Sequence, residues 1–131
     1  MKANRRTHLA RVLAVVLLSF STVTLADGLA AGESARIEYL LGSIAALPDA
    51  QFVRNGSAYD AKAAVEHLRS KLRYAGSRVK TAEDFIRYCA SESSVSGKPY
   101  EIRFSDGRVM SAAAFLRQKL LQFDTQNAAG S

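Results

Sequence analysis

Apolar residues along much of this chain recur three or four positions apart, which is the spacing of one face of an α-helix. The pattern runs through residues 34–47 and 57–75, begins again at Thr81, and returns from Ser111 to Phe123. It predicts four helices, each with one face available to a shared core. The residues that form these faces are Ile37, Leu40, Leu41, Ile44 and Leu47; Ala61, Ala64, Val65, Leu68 and Leu72; Ala82, Phe85, Ile86 and Cys89; and Ala112, Phe115, Leu116, Leu120 and Phe123.

The ends of the predicted helices carry residues that commonly start or stop a helix. Ser57, followed by Asp60 three positions later, has a form like a capping box. Thr81 and Ser111 have side chains that accept hydrogen bonds from the first N–H groups of a helix. Gly76 is a good stop for the second helix. These residues predict the starts of the second, third and fourth helices and the end of the second.

The pattern changes to alternation at residues 100–104. Tyr100, Ile102 and Phe104 are apolar and the residues between them are charged, as in a half-buried β-strand. Asp106-Gly107 favours a tight turn, and residues 108–110 form a short return strand. The sequence therefore predicts a β-hairpin between the third and fourth helices.

Asn55-Gly56 is another pair that favours a tight turn, but no alternating strand follows it. We interpret it as a turn that leads into the second helix. The order helix, helix, helix, hairpin, helix predicts a small α+β domain dominated by helices. An isolated two-stranded hairpin is only marginally stable, so its apolar face is expected to pack on those helices.

The first 26 residues have the three-part composition of a secretory signal peptide. Four cations precede an apolar run at residues 12–20, and small residues follow it up to Ala26. The run is shorter than the about 20 residues that span a bilayer. We expect export to the periplasm with cleavage after Ala26 and no stable membrane span afterwards, an uncleaved anchor being the alternative. The remainder is predicted to hold a flexible leader at 27–33, one globular domain at 34–123 and a flexible tail at 124–131.

Cleavage of this segment would lower the net charge of the protein. The whole chain has 18 Lys and Arg against 12 Asp and Glu, a formal charge of +6. The first 26 residues contain four of the cations and none of the acids, which leaves 14 against 12, or +2. A nearly balanced exported domain is a poor candidate for binding nucleic acid.

Cys89 is the single cysteine, so no disulfide can form within the chain. It falls on the apolar face of the third helix, where a buried thiol behaves as a small apolar group. With two histidines and no cysteine cluster, the sequence predicts neither a metal site nor a bound cofactor.

The loop at residues 90–99 contains candidates for chemistry. Ser96-Gly97-Lys98 is like the end of a phosphate-binding P-loop, but Glu92 stands where that motif requires glycine and Pro99 where it requires Ser or Thr. A loop serine activated by His67 would make a small hydrolase. The other interpretation is that the serines satisfy the loop backbone and the end of the third helix.

A basic stretch at residues 67–80 contains five cations and no acid. His67 and Lys71 lie one helical turn apart and can contact each other, while Arg54 and Asn55 precede the same helix and can fold back toward it. A lysine this close disfavours protonation of the His67 ring. The stretch is either an anion-binding surface or a solvated face whose cations stabilise the helix end.

Four segments of the chain resemble a known family. They are FVRNG at 52–56, HLRSKL at 67–72, TAEDFI at 81–86 and SESSVSGKPY at 91–100, and the resemblance as a whole extends over about residues 37–121. Their order and spacing are similar to those of the YfeK-like domain of unknown function, a family of small exported bacterial proteins. The resemblance implies a periplasmic location in a Gram-negative organism and implies no activity.

The resemblance also draws attention to polar residues that packing alone would not require inside these segments. They are Arg54, Asn55, His67, Lys71, Ser94, Lys98 and Tyr100. The predicted function is a non-enzymatic binding module for a periplasmic protein partner or an anionic envelope component. The alternative is a small hydrolase that uses His67 with a loop serine.

Overall fold

The computed structural model describes residues 29–131, and the predicted signal peptide lies outside these residues. These residues fold into four α-helices and four β-strands, so the predicted α+β class is confirmed. The helices are α1 (Glu33–Ala45), α2 (Ala61–Ala75), α3 (Ala82–Phe85) and α4 (Ala112–Ala129). The strands are β1 (Gln51–Arg54), β2 (Ser57–Tyr59), β3 (Glu101–Arg103) and β4 (Val109–Ser111).

The four strands form one antiparallel sheet in the order β2-β1-β3-β4. The hairpin predicted around Asp106-Gly107 is present as β3 and β4. The interpretation of Asn55-Gly56 as a turn into α2 is wrong, because these residues join β1 to β2. Asn55 has φ 51° and Gly56 has φ 79°, the positive values that a two-residue type I′ hairpin turn requires.

The start of α2 also differs from the prediction. Ser57 lies in β2, and the residue that caps α2 is Asp60, whose carboxylate accepts a hydrogen bond of 2.8 Å from the Ala63 N–H. A side-chain acceptor at this position satisfies one of the N–H groups that lack partners in the first turn. The capping roles predicted for Thr81 and Ser111 are confirmed.

The hydrophobic core lies between the helices and one face of the sheet. Helix α1 provides Ile37, Leu40, Leu41 and Ile44, each at most 2% exposed, and it packs against α2, α3 and α4. Cys89 is fully buried, as its position on the apolar face predicts. Other core side chains are Leu68, Phe85, Ile86, Ile102, Phe115, Leu116 and Leu120.

Helix α3 is short because the backbone changes to a π-helical turn at Ile86–Ala90. The turn ends at Ser91, whose hydroxyl donates a hydrogen bond of 2.7 Å to the Ile86 carbonyl, five residues earlier. The wider turn leaves Ala90 fully buried between the helices and the sheet. Single π-turns of this kind are rare and are often found near functional sites.

The described residues of the predicted leader and tail make contacts with the rest of the domain. At the leader, Ala30 N–H donates to the Lys80 carbonyl, and α1 begins at Glu33. The predicted tail, 124–131, is helical as far as Ala129, and Asp124 pairs with Arg36 at 2.6 Å. Among the helices in residues 29–131, none is both long enough and apolar enough to cross a membrane.

Candidate functional site

One face of the sheet brings polar side chains toward α2. Phe52 is paired with Tyr59 on β2 and with Ile102 on β3, so these three side chains share a face. Arg54 lies two residues after Phe52 and Tyr100 two residues before Ile102, which places both on the same side of the sheet. The inner face therefore changes from apolar to polar along its length.

Helix α2 lies opposite this polar end. His67 and Lys71 are one turn apart on the helix and are half-buried, while Leu68 between them points into the core. The sequence predicted that the side chains of His67 and Lys71 are close enough to contact each other. Both reach the hydroxyl of Tyr100, which lies between them at 3.1 Å from His67 Nε2 and 3.2 Å from Lys71 Nζ.

The contact between Arg54 and His67 defines the state of the imidazole ring. Arg54 Nη1 lies 2.7 Å from Nδ1 and 3.2 Å from Nε2 of His67. Because a guanidinium group only donates hydrogen bonds, we assign the nearer nitrogen, Nδ1, as the acceptor. The neutral ring then carries its proton on Nε2 and donates it to the Tyr100 hydroxyl oxygen.

The Tyr100 hydroxyl accepts both of its hydrogen bonds from cluster neighbours. Its oxygen receives one from His67 Nε2 and one from Lys71 Nζ, which uses both lone pairs. In this assigned tautomer, its own O–H proton has no hydrogen-bond acceptor within residues 29–131. Lys71 also donates to the Glu92 carbonyl at 2.9 Å, which leaves one of its three N–H groups without a partner in these residues.

Tyr59 completes the group on the side of β2. Its hydroxyl oxygen accepts from Arg54 Nη2 at 3.1 Å, and the guanidinium lies 4.9 Å from the centre of its ring. We call Arg54, Tyr59, His67, Lys71 and Tyr100 the donor cluster. Sequence reasoning missed Tyr59, because only the β1–β2 pairing brings it beside Arg54.

Burial and like charges shift the titration of the donor cluster. Burial, followed by the charges of Arg54 and Lys71, lowers the pKa of His67 below its ordinary value. This agrees with the effect of Lys71 predicted from the sequence. Burial also lowers the pKa of Lys71 and raises the pKa of Tyr100, so the tyrosine stays a hydroxyl donor.

No carboxylate within residues 29–131 forms an ion pair with the cations of the donor cluster, although the Glu92 carboxylate lies near enough to favour the charged form of Lys71. The ion pairs of these residues use other cations, namely Arg36, Arg69, Arg108 and Arg117. The hydrogen bonds of Arg54 and Lys71 go to neutral groups: an imidazole, two phenols and a carbonyl. The arrangement thus holds two cations close together, beside the Tyr100 hydroxyl, without a direct ion pair in this part of the chain.

Asn55 holds the loop at residues 91–100 against the hairpin. Its side-chain Nδ2 donates to Ser93 Oγ at 3.1 Å, and its Oδ1 accepts from Ser96 Oγ. Ser93, which is 4% exposed, also accepts from the Val95 and Ser96 N–H groups, in agreement with a loop-stabilising role. Asn55 therefore holds in place the loop that carries Tyr100 and that places the Glu92 carbonyl beside Lys71.

Ser94 and Lys98 lie apart from the other predicted site residues. Both are exposed, and neither side chain makes a hydrogen bond or an ion pair within the part of the chain described here. Lys98 contributes through its backbone, whose carbonyl accepts from the Ser93 N–H at 3.0 Å. The structure thus brings together Arg54, His67, Lys71 and Tyr100, with Asn55 behind them.

His67 has no serine partner among the described residues. The hydrogen bonds of its two ring nitrogens go to Arg54 and Tyr100, and those of Ser93 go to Asn55 and the loop backbone. No group of three His, Cys, Asp or Glu side chains in residues 29–131 is arranged as a metal site. The arrangement provides hydrogen-bond donors rather than a nucleophile with its base.

A cavity of about 280 Å³ lies beside the donor cluster, between α2 and the sheet. Its rim includes Arg54, Tyr59, His67 and Tyr100. Its remaining lining is mostly apolar and comes from α1, β1, α2, the π-turn and α4: Ile44, Phe52, Val53, Ala63, Ala64, Leu68, Ala90 and Ala112, with Glu66 and Glu101. A pocket with an apolar lining and a few convergent polar groups is the usual form of a small-molecule site.

The comparisons with known proteins agree with the resemblance seen in the sequence. Residues 31–124 match a family of unknown function, DUF5329. The chain is 50% identical over 70 residues to the uncharacterized protein YfeK of Salmonella typhimurium, and the match covers 53% of this chain and 58% of that protein. None of the solved structures matches the chain. Because the family match covers the greater part of its length, the chain belongs to the YfeK-like family of unknown function, DUF5329.

Proposed function

We propose that this protein is a non-enzymatic periplasmic binding module whose donor cluster holds the carboxylate or phosphate group of an anionic envelope component. The observation that carries the proposal is the Tyr100 hydroxyl between His67 and Lys71. In the assigned His67 tautomer, both of its lone pairs are used and its proton has no acceptor in residues 29–131. An anionic oxygen is the group that such a donor, flanked by two cations, binds best.

The charges of the donor cluster support the same conclusion. Arg54 and Lys71 both lie near His67 and neither is in an ion pair within residues 29–131, so each disfavours a positive charge on the His67 ring. A bound anion would relieve this repulsion and use the remaining N–H groups of both cations. Partial burial of these groups strengthens an ionic hydrogen bond compared with one at an exposed surface.

The hydrolase alternative has no supporting contact within residues 29–131, because His67 meets Arg54 and Tyr100 rather than a loop serine. The predicted signal peptide and the resemblance to a family of exported proteins support the proposed periplasmic location. A protein partner remains compatible with the proposal if it presents a carboxylate side chain or terminus to the donor cluster.

A titration followed by NMR tests the proposal. Sodium sulfate and sodium acetate would be added to the ¹⁵N-labelled protein at constant ionic strength, kept with sodium chloride. We expect saturable shifts at His67, Lys71 and Tyr100. Lys71→Gln should weaken binding of either anion by about tenfold or more, which corresponds to the loss of one ionic hydrogen bond.

Arg73→Gln is the matched control, because it removes one cation from the exposed side of the same helix. Its affinity for sulfate should stay within about twofold of wild type, since exposed charges contribute little. Absence of saturable shifts in the wild-type protein would overturn the proposal. So would equal losses in Lys71→Gln and Arg73→Gln, which would indicate only a general effect of net charge.

A further inference from the structure

The cavity beside the donor cluster is partly open and lies against the hydrophobic core. The core residues Ile44, Leu68 and Ala90 form its floor and are only 1%, 5% and 0% exposed, so the core beneath the cavity is filled. Most of the other residues that line it are apolar as well. A mostly apolar cleft of about 280 Å³ is therefore a space suited to an apolar group.

We infer that the ligand is a single-chain amphiphile, with its carboxylate or phosphate on the donor cluster and its hydrocarbon chain in this cavity. The inference rests on the proposed function, because the donor cluster sets the position of the anionic end. It adds the hydrocarbon chain of the ligand, which the donor cluster alone does not predict. Arg54, His67 and Tyr100 line the same cavity as the apolar side chains, so one molecule can contact the donor cluster and the apolar lining at the same time.

The volume of the cavity limits the size of the chain. An apolar cavity of about 150 Å³ holds a molecule of the size of benzene, so 280 Å³ has room for a chain of about eight to ten carbons. A chain of this length suits a single-chain amphiphile, since the second acyl chain of a bilayer lipid would have to lie outside the cavity.

Two carboxylates restrict where the anionic end can bind. Glu66 and Glu101 also line the cavity, and they repel an anion that lies beside them. Neither forms an ion pair with Arg54 or Lys71 within residues 29–131. The donor cluster is therefore the part of the rim at which an anion meets attraction rather than repulsion.

A chain-length series tests the inference on the full chain. Acetate, hexanoate, octanoate, decanoate and dodecanoate would be titrated by NMR below their critical micelle concentrations, with methyl and decyl phosphate as a second series and 1-decanol as the uncharged comparison. We expect affinity to rise about fourfold per methylene group, the effect of burying each one, and to level off at about eight to ten carbons. Decanol should bind at least tenfold more weakly than decanoate.

The outcomes separate this inference from the proposed function. Equal affinities for acetate and decanoate would overturn the inference and leave anion binding intact. Equal affinities for decanol and decanoate would overturn both, because the anionic end would then contribute nothing. Binding to phosphatidylglycerol vesicles without binding of decanoate or decyl phosphate would overturn the single-chain assignment. The two anionic series also show whether a carboxylate or a phosphate is preferred.

A cavity-filling variant tests whether the hydrocarbon chain of the ligand binds in this cavity. Ala63 lines the cavity from α2, and Ala63→Leu should reduce the ratio of decanoate to acetate affinity by at least tenfold. Ala35→Leu makes the same change on an exposed face of α1 and should leave the ratio unchanged. An unchanged ratio in a folded Ala63→Leu protein, shown by a dispersed NMR spectrum, would overturn the inference. Ala64→Leu provides a second filling variant if Ala63→Leu does not fold.

Discussion

At the scale of single residues, His67 determines the state of the donor cluster. Its neutral ring accepts from Arg54 and donates to Tyr100, and a proton added to Nδ1 would break the first of these contacts. Arg54 on β1, Lys71 on α2 and the Tyr100 hydroxyl surround the ring, with the carboxylates Glu66 and Glu101 on the same cavity. Burial and the two cations together favour the neutral form.

The lowered pKa of His67 gives a pH dependence of stability. The folded pKa lies below the ordinary 6.5, so on acidification the unfolded chain takes up this proton first. The contribution of His67 is therefore complete above about pH 6.5 and is lost as the pH falls through the folded pKa. Urea unfolding between pH 7.5 and 5 should show a larger loss of stability in wild type than in His67→Gln, which cannot titrate. Parallel pH profiles for the two proteins would contradict this account.

At the scale of elements, the β1–β2 hairpin carries Arg54 and Tyr59 to the donor cluster. Its strands have four and three residues, and the burial of neighbouring Phe52 and Val53 removes the alternation by which a strand is recognised. The partner that fixes the register, β3, lies about 50 residues further along the chain. For this reason the sequence predicted the β3–β4 hairpin and failed to predict this one, although Asn55-Gly56 is a strong turn signal.

Two glycine substitutions test the role of this turn. Gly56 has φ 79°, so Gly56→Ala should lower the free energy of unfolding by about 1–2 kcal/mol. Gly42 lies within α1, and an added Cβ there meets nothing within 4 Å. Gly42→Ala should therefore raise the free energy of unfolding by about 0.5–1 kcal/mol. Chemical denaturation measures both, and the same sign for the two variants would contradict the assigned turn.

At the scale of the whole molecule, the sequence predicted the helices better than it predicted the site. The apolar faces of α1 and α4 and the burial of Cys89 follow from local spacing, which depends on few residues at a time. The donor cluster depends on β1, α2 and the loop before β3 meeting in three dimensions. His67 and Lys71 were predictable as helical neighbours, but their common contact with Tyr100 was not. The cavity is likewise a property of packing between elements, which no sequence pattern reports.

The pKa of His67 in the presence of an anion shows whether the donor cluster binds anions. It can be measured from the imidazole NMR signals of the full chain, with the His67 signal assigned by its loss in His67→Gln. In sodium chloride the pKa should lie below 6.5, and replacement by sodium sulfate at the same ionic strength should raise it, because an anion on Arg54 and Lys71 offsets their repulsion. The same pKa in both salts would contradict an anion site at the donor cluster.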